Sequence, residues 1–213
     1  MGVVIAGGHG QVAQRLERLL AERGHRARGL VRDRAQVGDL EALGAEGVVC
    51  DLEAEDDLSE YVEGAEAVVF AAGAGPGSGP ERKRTVDLGA ALKLSDAARS
   101  TGVRRYVMVS AIGADDPASG PERMRPYLEA KAEADDALAL SGLAYTIVRP
   151  GRLTDDAGTG RVEAGPDVER GDIPRDDLAC VLLAVLEAGD AMAAKTFRVV
   201  AGDTPIETAL AAL

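Results

Sequence analysis

The stretch Val3-Val4-Ile5-Ala6-Gly7-Gly8-His9-Gly10-Gln11-Val12-Ala13 decides the fold of this chain. A short apolar run ends in a cluster of glycines, and a segment with helical periodicity follows at once. The spacing Gly8-x-Gly10-x-x-Ala13 fits the strand, tight turn and helix start that hold a dinucleotide pyrophosphate on free backbone amides. The candidate cofactor-binding residues of this turn are Gly7, Gly8, His9, Gly10, Gln11 and Val12.

Apolar runs alternate with helical patterns along the rest of the chain. We predict strands at 3–6, 28–31, 47–50, 67–71, 105–110, 144–148 and 196–200, and helices at 11–23, 34–43, 58–63, 81–102, 124–141 and 175–188. Glycines that resemble helix C-caps follow several of these helices, and Thr204-Pro205-Ile206-Glu207 has the spacing of a capping box. Alternation of this kind predicts a doubly wound, mostly parallel α/β sheet.

We expect a single compact domain over residues 1–213, because neither a repeat nor a low-complexity linker interrupts the pattern. Three glycine- and proline-rich segments, 73–80, 113–121 and 151–174, follow the fourth, fifth and sixth strands. Because the carboxyl ends of parallel strands share one edge, these segments are predicted to be loops that cover a site there.

Composition excludes several classes of function. A net charge of −12 and an aromatic content of 3% argue against a nucleic-acid partner. No apolar run approaches the ~20 residues of a membrane helix, and no signal peptide is evident, so we expect a cytoplasmic protein without a membrane partner. Two isolated cysteines, Cys50 and Cys180, and two histidines predict buried, reduced thiols and no metal site.

The end of the second strand bears on the choice of cofactor. Arg32 lies where an arginine would bind the 2′-phosphate of NADP, whereas an acidic residue there would bind the ribose of NAD. Asp33 follows directly, and we interpret it as the N-cap of the next helix. NADP is therefore the expected cofactor, and NAD is the alternative.

A serine, a tyrosine and a lysine form a candidate catalytic group. Tyr127 and Lys131 are spaced to share one helix face, and Ser110 ends the fifth predicted strand on the same edge as the glycine turn. An ammonium beside a phenol favours the phenolate and makes the hydroxyl a better proton donor, and a serine hydroxyl can hold a carbonyl oxygen. A packed core tyrosine beside a solvated lysine is the alternative explanation of the pair.

With these motifs the chain resembles the short-chain dehydrogenase/reductase superfamily, in its compact atypical NAD(P)H-binding or NmrA-like branch. The resemblance covers nearly the whole chain, and it includes NADH-flavin reductase-like and sugar epimerase-like proteins. The matching motifs are Gly7-x-x-Gly10-x-x-Ala13, Leu30-Val31-Arg32, Asp51-Leu52, Ala71-Ala72-Gly73, Val109-Ser110-Ala111, Tyr127-x-x-x-Lys131 and Arg149-Pro150-Gly151.

The resemblance implies a Rossmann-type fold and a role for each motif. Asp51 and Leu52 would flank the adenine, and the segment 71–73, formed by Ala71, Ala72 and Gly73, would line the cofactor. Ser110, Tyr127 and Lys131 would be catalytic, with Lys131 also on the nicotinamide ribose and Pro150 near the nicotinamide. Ala71 departs from the family, many of whose members carry a catalytic asparagine there.

Three functions follow as expectations. The first is an NADP(H)-dependent oxidoreductase acting on a small carbonyl, quinone or flavin. The second is a non-catalytic NADP(H) sensor, which would not need the pair of Tyr127 and Lys131. The third is an epimerase or isomerase, for which little chain remains after the seventh strand. The expected partner is a small-molecule substrate, and the expected state is a monomer or homodimer.

Overall fold

A long, mostly parallel sheet organises the computed structural model, which describes residues 1–75 and 77–213. Its strands are β1 (Gly2–Ala6), β2 (Arg26–Val31), β3 (Glu46–Val49), β4 (Ala67–Phe70), β5 (Arg105–Val109), β6 (Ala144–Pro150), β8 (Arg161–Gly165), β10 (Lys195–Ala201) and β11 (Thr204–Pro205). Two further strands, β7 (Arg152–Thr154) and β9 (Asp172–Pro174), pair with each other in a separate small sheet.

The helices connect these strands across both faces. They are α1 (Gln11–Glu22), α2 (Val37–Glu41), α3 (Ser59–Val62), α4 (Pro80–Arg82), α5 (Ala91–Thr101), α6 (Arg125–Ala139), α7 (Arg175–Ala188) and α8 (Ile206–Ala211). A π-helical segment, Lys83–Ala90, joins α4 to α5, so the helix predicted over 81–102 is continuous but changes its winding.

The strand order is β11-β8-β10-β6-β5-β4-β1-β2-β3. The strands from β3 to β10 in this order run parallel, and β8 and β11 add an antiparallel edge. The order reverses direction between β1 and β4, and this topological switch point is where doubly wound sheets bind ligands. The predicted Rossmann-type fold is confirmed.

Alternation along the strands distributes the core over two layers. In β1, Val3 and Ile5 face a core formed with α1, α7 and α8, whereas Val4 and Ala6 face a core formed with α3, α5 and α6. Both faces of the sheet are therefore covered, which explains why the central strands read as continuous apolar runs.

The prediction of a plain loop over 151–174 is wrong, because β7, β8 and β9 lie within it. The missed signal is the short alternation at the start of β8, where Val162 is buried between exposed Arg161 and Glu163. The segment 73–80 is irregular as far as it is described up to Pro80, where α4 begins, and its Pro76 lies outside the described residues. The segment 113–121 holds a single 3₁₀ turn, Pro117–Ser119.

The capping box predicted at Thr204 is also wrong. Thr204 and Pro205 pair with β8 as β11, and α8 begins at Ile206 without a side-chain cap. The Ile206 amide donates instead to the Gly160 carbonyl over 3.2 Å. The sheet edge therefore satisfies a backbone group that a threonine hydroxyl was expected to satisfy.

Two smaller expectations have separate outcomes. Cys50 is buried as predicted, but Cys180 is only half-buried, and both thiols are free. Within the described residues no helix combines the length and the apolar character needed to cross a membrane.

Candidate functional site

A cleft of about 320 Å³ opens at the switch point, between the carboxyl ends of β1, β2 and β4. Its size lies within the usual range of small-molecule sites. The predicted residues that it brings together are Gly7, His9, Gly10, Arg32, Asp51, Leu52, Ala71, Ala72 and Gly73. A smaller cavity of about 100 Å³ lies at the amino ends of the strands, around Gly2 and Arg26, away from the glycine turn.

At each of the three glycines of the turn, a different structural feature accounts for the absence of a side chain. Gly7 has a φ of +85°, and a Cβ on it would lie 2.7 Å from the Cα of Ala72. A Cβ on Gly8 would lie 2.7 Å from the Cα of Gly29, which is the close packing of turn against strand. Gly10 has an ordinary extended backbone and precedes α1, and its Cβ would lie 3.1 Å from the Gly7 carbonyl oxygen and 3.8 Å from that of Ala71. Gly10 is therefore the glycine that leaves space on the cleft side.

A buried carboxyl that no sequence pattern predicted lies beneath the turn. Glu17, on α1, is fully buried, and both of its oxygens lack a hydrogen-bond partner within the described residues. Its Oε1 lies 2.9 Å from where a Cβ on Gly8 would be. Burial raises the pKa of Glu17 to about 8, so this acid holds its proton at neutral pH.

Arg32 and Asp33 differ in their contacts. Arg32 lines the cleft and is exposed, and no hydrogen bond or ion pair engages its guanidinium within the described residues. Asp33 accepts from the Ala35 amide over 2.9 Å, and it is the N-cap of a 3₁₀ turn that leads into α2. The predicted capping role of Asp33 is confirmed, and one oxygen of its carboxylate is engaged by the backbone.

An arginine that the sequence analysis did not select forms the far wall of the cleft. Arg82, at the end of α4, lines the cleft and pairs with Glu53 over 3.2 Å. Thr85 donates to the same carboxylate over 2.7 Å. Asp51 and Leu52 line the wall just before Glu53, where the resemblance places the adenine.

Five of the predicted cofactor-binding residues lie outside the cleft lining, namely Gly8, Gln11, Val12, Pro150 and the buried Lys131. Gly8 and Val12 are buried in the core, so any contact with a ligand would be through the backbone. Gln11 is exposed at the start of α1. Pro150 is buried at the end of β6, where its carbonyl accepts from the Ile112 amide over 3.1 Å.

The serine of the candidate catalytic group directly follows β5, and the tyrosine and lysine lie on α6. Lys131 is 2% exposed, donates to the Val109 carbonyl over 3.0 Å and lies 5.9 Å from the centre of the Tyr127 ring. Tyr127 is half-buried, and its hydroxyl has no hydrogen-bond partner within the described residues. Ser110 is 2% exposed, and its hydroxyl donates over 2.8 Å to Asp135.

Two buried carboxylates complete this group, and sequence reasoning missed both. Asp87, in the π-helical segment, is fully buried and pairs with Lys131 over 3.5 Å. Asp135 accepts from Ser110 and, over 3.0 Å, from Arg149. Asp135 follows Lys131 by one helical turn, so the spacing that identified the tyrosine and lysine also pointed to it. Asp87 left no comparable local signal.

These carboxylates reverse one electrostatic expectation. Burial, with Asp87 and Asp135 nearby, raises the pKa of Tyr127 well above that of a free phenol. Burial also lowers the pKa of Lys131, although both carboxylates oppose that effect. The expected preference for phenolate beside Lys131 is therefore absent in this structure, and Tyr127 is a neutral phenol.

Contacts link the cleft to this group. The Ala74 amide, in the cleft wall, donates to Asp87 over 3.2 Å, and a Cβ on Gly73 would lie 3.2 Å from the same carboxylate. Asp87 in turn pairs with Lys131. The glycine turn, the open side of Gly10 and Arg32, which is unpaired within the described residues, fit a dinucleotide phosphate. The Tyr127 face, formed by Tyr127, Lys131, Asp87, Asp135 and Arg149, is adjacent through these contacts.

Comparisons with known proteins agree with this architecture. The profile of a family described as NAD(P)H-binding matches residues 7–189. The chain is 41% identical over 212 residues to the uncharacterized sugar epimerase YhfK of Bacillus subtilis, covering 99% of each protein. A solved structure from Bacillus halodurans, described as a candidate NAD-dependent epimerase/dehydratase, superposes with a TM-score of 0.95 at 40% identity over 100% of both chains.

A second solved structure is more distant. It is the oxidoreductase ylbE from Lactococcus lactis, which superposes with a TM-score of 0.89 at 26% identity and covers 100% of this chain and 96% of that one. The relatives carry both reductase and epimerase names, whereas the nucleotide-binding architecture is common to them. The chain therefore belongs to the NAD(P)H-binding family.

Proposed function

We propose that the protein is an NADP(H)-dependent oxidoreductase that transfers a hydride to or from a small carbonyl, quinone or flavin. The observation that carries the proposal is the contact path from the cleft wall at Ala74 through Asp87 to Lys131, one helical turn from Tyr127. A group that exchanges protons thus lies beside the proposed dinucleotide site. The name of the Lactococcus relative is consistent with this class.

The preference for NADP is supported by Arg32. Its guanidinium lies in the cleft wall without a carboxylate partner in the described part of the chain, so it is available to a 2′-phosphate. Asp33, the residue that would favour NAD, is occupied as an N-cap. A bound nicotinamide would supply or accept the hydride, and the proton is left to the protein.

Tyr127 is the proposed proton donor. Its hydroxyl is free of other partners within the described residues, so it can donate to an acceptor oxygen without first breaking a bond. The raised pKa of Tyr127 keeps the proton in place until negative charge develops on that oxygen, which is then the stronger base. Lys131 positions the ring face and anchors the end of β5 through the Val109 carbonyl.

Ser110 has a different role in the structure from the one that its motif suggests. Its proton is directed to Asp135, so the hydroxyl must rotate before it can donate to an acceptor oxygen. This arrangement favours the second candidate, a non-catalytic NADP(H) sensor, because packing with Asp135 and Asp87 already explains both Ser110 and Lys131. An epimerase remains the third candidate, on the name of the Bacillus subtilis relative.

Calorimetry with NADPH and NADH, followed by a turnover panel, tests the proposal. We expect NADPH to bind about tenfold more tightly, since a charge-assisted phosphate contact contributes about 1.5–3 kcal/mol. Arg32→Ala should abolish the preference. Arg26→Ala, at the opposite end of the same strand, is the matched control and should retain it. Equal affinities in the wild type would reject NADP as the preferred cofactor.

The panel contains quinones, flavins and small aldehydes, with oxidation of NADPH followed by its near-ultraviolet absorbance. Net oxidation with any acceptor supports the oxidoreductase over both alternatives. An epimerase would convert its substrate without net oxidation. Tight NADPH binding with no turnover, together with a protein partner whose binding depends on the cofactor, would support the sensor.

A further inference from the structure

A second lysine faces the Tyr127 ring from the π-helical segment. The Nζ of Lys83 lies 5.2 Å from the centre of that ring, and Lys131 lies 5.9 Å from it. Lys83 is half-buried, whereas Lys131 is almost fully buried. The candidate proton donor therefore lies close to two ammonium groups, of which Lys83 is the one accessible to a ligand.

The charges around Tyr127 are not balanced. Lys131 is paired with Asp87, and Asp135 is paired with Arg149. Lys83 has no carboxylate within ion-pair distance in the described residues, and its hydrogen bond to the Ser78 hydroxyl is long, at 3.3 Å. In a chain with a net charge of −12, this half-buried cation keeps unused donors.

Lys83 and the preceding residue, Arg82, make contacts on different sides of the helix. Arg82 lines the cofactor cleft and pairs with Glu53. Lys83 is absent from the cleft lining and lies over Tyr127. An anion bound to Lys83 would thus be held next to the Tyr127 ring rather than along the dinucleotide.

We propose that Lys83 anchors a carboxylate of the acceptor, so that the substrates of this enzyme are carbonyl compounds that carry a carboxylate. The inference rests on the proposed oxidoreductase function. Lys83 would hold the carboxylate while the reacting oxygen meets the Tyr127 hydroxyl. A lysine provides a compact charge on a flexible stem, which suits acceptors of more than one length.

The first experiment compares para-carboxybenzaldehyde with benzaldehyde, which has the same reacting group and no charge. In the wild type, kcat/KM should favour the carboxylated aldehyde by about tenfold, the size of one charge-assisted hydrogen bond. Lys83→Met keeps the apolar stem and should abolish that ratio, and Lys83→Arg should restore most of it. Lys195→Met, at the start of β10, is the matched control and should leave the ratio unchanged.

The second experiment does not need turnover. Benzoate and its neutral analogue benzamide are titrated into the wild-type complex with NADP⁺. Benzoate should bind more tightly, and Lys83→Met should weaken benzoate binding about tenfold. If neither aldehyde is turned over but benzoate still binds through Lys83, the reductase assignment fails for this class and the anion site stands.

Three results would overturn the inference. One is absence of benzoate binding, or equal binding of benzoate and benzamide. Another is an aldehyde ratio that Lys83→Met does not change. The last is a loss of NADP⁺ affinity in Lys83→Met as large as the loss of benzoate affinity, which would place the lysine on the cofactor. Thermal unfolding of each variant confirms that it is folded.

Discussion

The glycine turn and the Tyr127 face lie on the same edge of the sheet, but they bury their carboxyl groups in different ways. Beneath the turn, Glu17 has no partner among the described residues and keeps its proton, with its pKa raised to about 8. On the Tyr127 face, Asp87 and Asp135 lie against Lys131 and Arg149. The first region is held by close backbone packing, and the second by alternating charges.

This difference determines what each region tolerates. Around the turn, an added methyl group meets backbone atoms at 2.7 Å, so shape is limiting there. On the Tyr127 face, removing one charge leaves another buried and unpaired, which typically costs about 3–5 kcal/mol. Variants that change shape in one region and chemistry in the other therefore test the comparison.

The largest effect is expected from Tyr127→Phe. Loss of the hydroxyl should lower kcat by about 10²–10⁴-fold, the usual contribution of a general acid. Affinity for NADPH should stay within about twofold, because the proton is used only in the transition state. Steady-state kinetics and calorimetry measure the two quantities separately.

Tyr145→Phe, in β6, is the matched control and should change neither quantity. Flavin reduction that continues at the wild-type rate in Tyr127→Phe would mean that hydride transfer needs no tyrosine proton. The Tyr127 face would then have a structural rather than a chemical role.

The next effect in size is expected from Gly10→Val. The backbone of Gly10 is extended, with φ −67° and ψ 147°, so valine can adopt it with its Cβ 3.1 Å from the Gly7 carbonyl oxygen, and its branched side chain would fill the cleft side. We expect cofactor affinity to fall about 100-fold or more, equivalent to about 2.8 kcal/mol, because the branched side chain blocks the approach of the pyrophosphate to the backbone amides. Calorimetry and thermal unfolding together provide the test.

Gly8→Val provides the contrast. The Cβ of this valine would lie 2.7 Å from the Cα of Gly29. The main effect of Gly8→Val should therefore be a loss of folding stability rather than a direct loss of nucleotide affinity. Normal nucleotide affinity in a folded Gly10→Val protein would remove the turn from the site.

The smallest effect is expected from Glu17→Gln, and it depends on pH. The folded pKa of Glu17 is about 8 against an ordinary value of 4.5. Below pH 4.5 the carboxyl is protonated in both the folded and the unfolded chain, so its ionisation does not lower the stability. As the pH rises between the two values, the unfolded chain releases a proton that the folded chain retains, and stability falls. Relative to Glu17→Gln, the wild type should lose about 2–3 kcal/mol of unfolding free energy between about pH 5 and pH 7.

Urea unfolding across this pH range measures the difference in unfolding free energy between the wild type and Glu17→Gln. Only the change of this difference with pH is used, because any effect of the amide on packing is the same at every pH. Glu22→Gln, an exposed position on the same helix, should follow the wild-type pH profile. Parallel profiles for the wild type and Glu17→Gln would show that Glu17 is ionised in the folded protein.

The parts of the molecule that depend on local pattern were predictable from the sequence. The strand periodicity and glycine spacing around Gly10 identified the fold and much of the cleft, and Asp33 was identified as an N-cap. The pairing of Asp87 with Lys131 joins residues far apart in the sequence, and no spacing along the chain predicts it. The short strands near Val162 were hidden because two or three buried positions carry little periodic signal.

The π-helical segment has a consequence for comparing homologues. Each of its hydrogen bonds spans one residue more than in an α-helix, so the segment is equivalent to a local insertion within Lys83–Ala90. A relative lacking one residue there would present a different side chain to Tyr127, even at high overall identity. Alignments should therefore be anchored on either side, at Pro80 and at α5, before position 83 is compared across species and substrate preference is transferred from one relative to another.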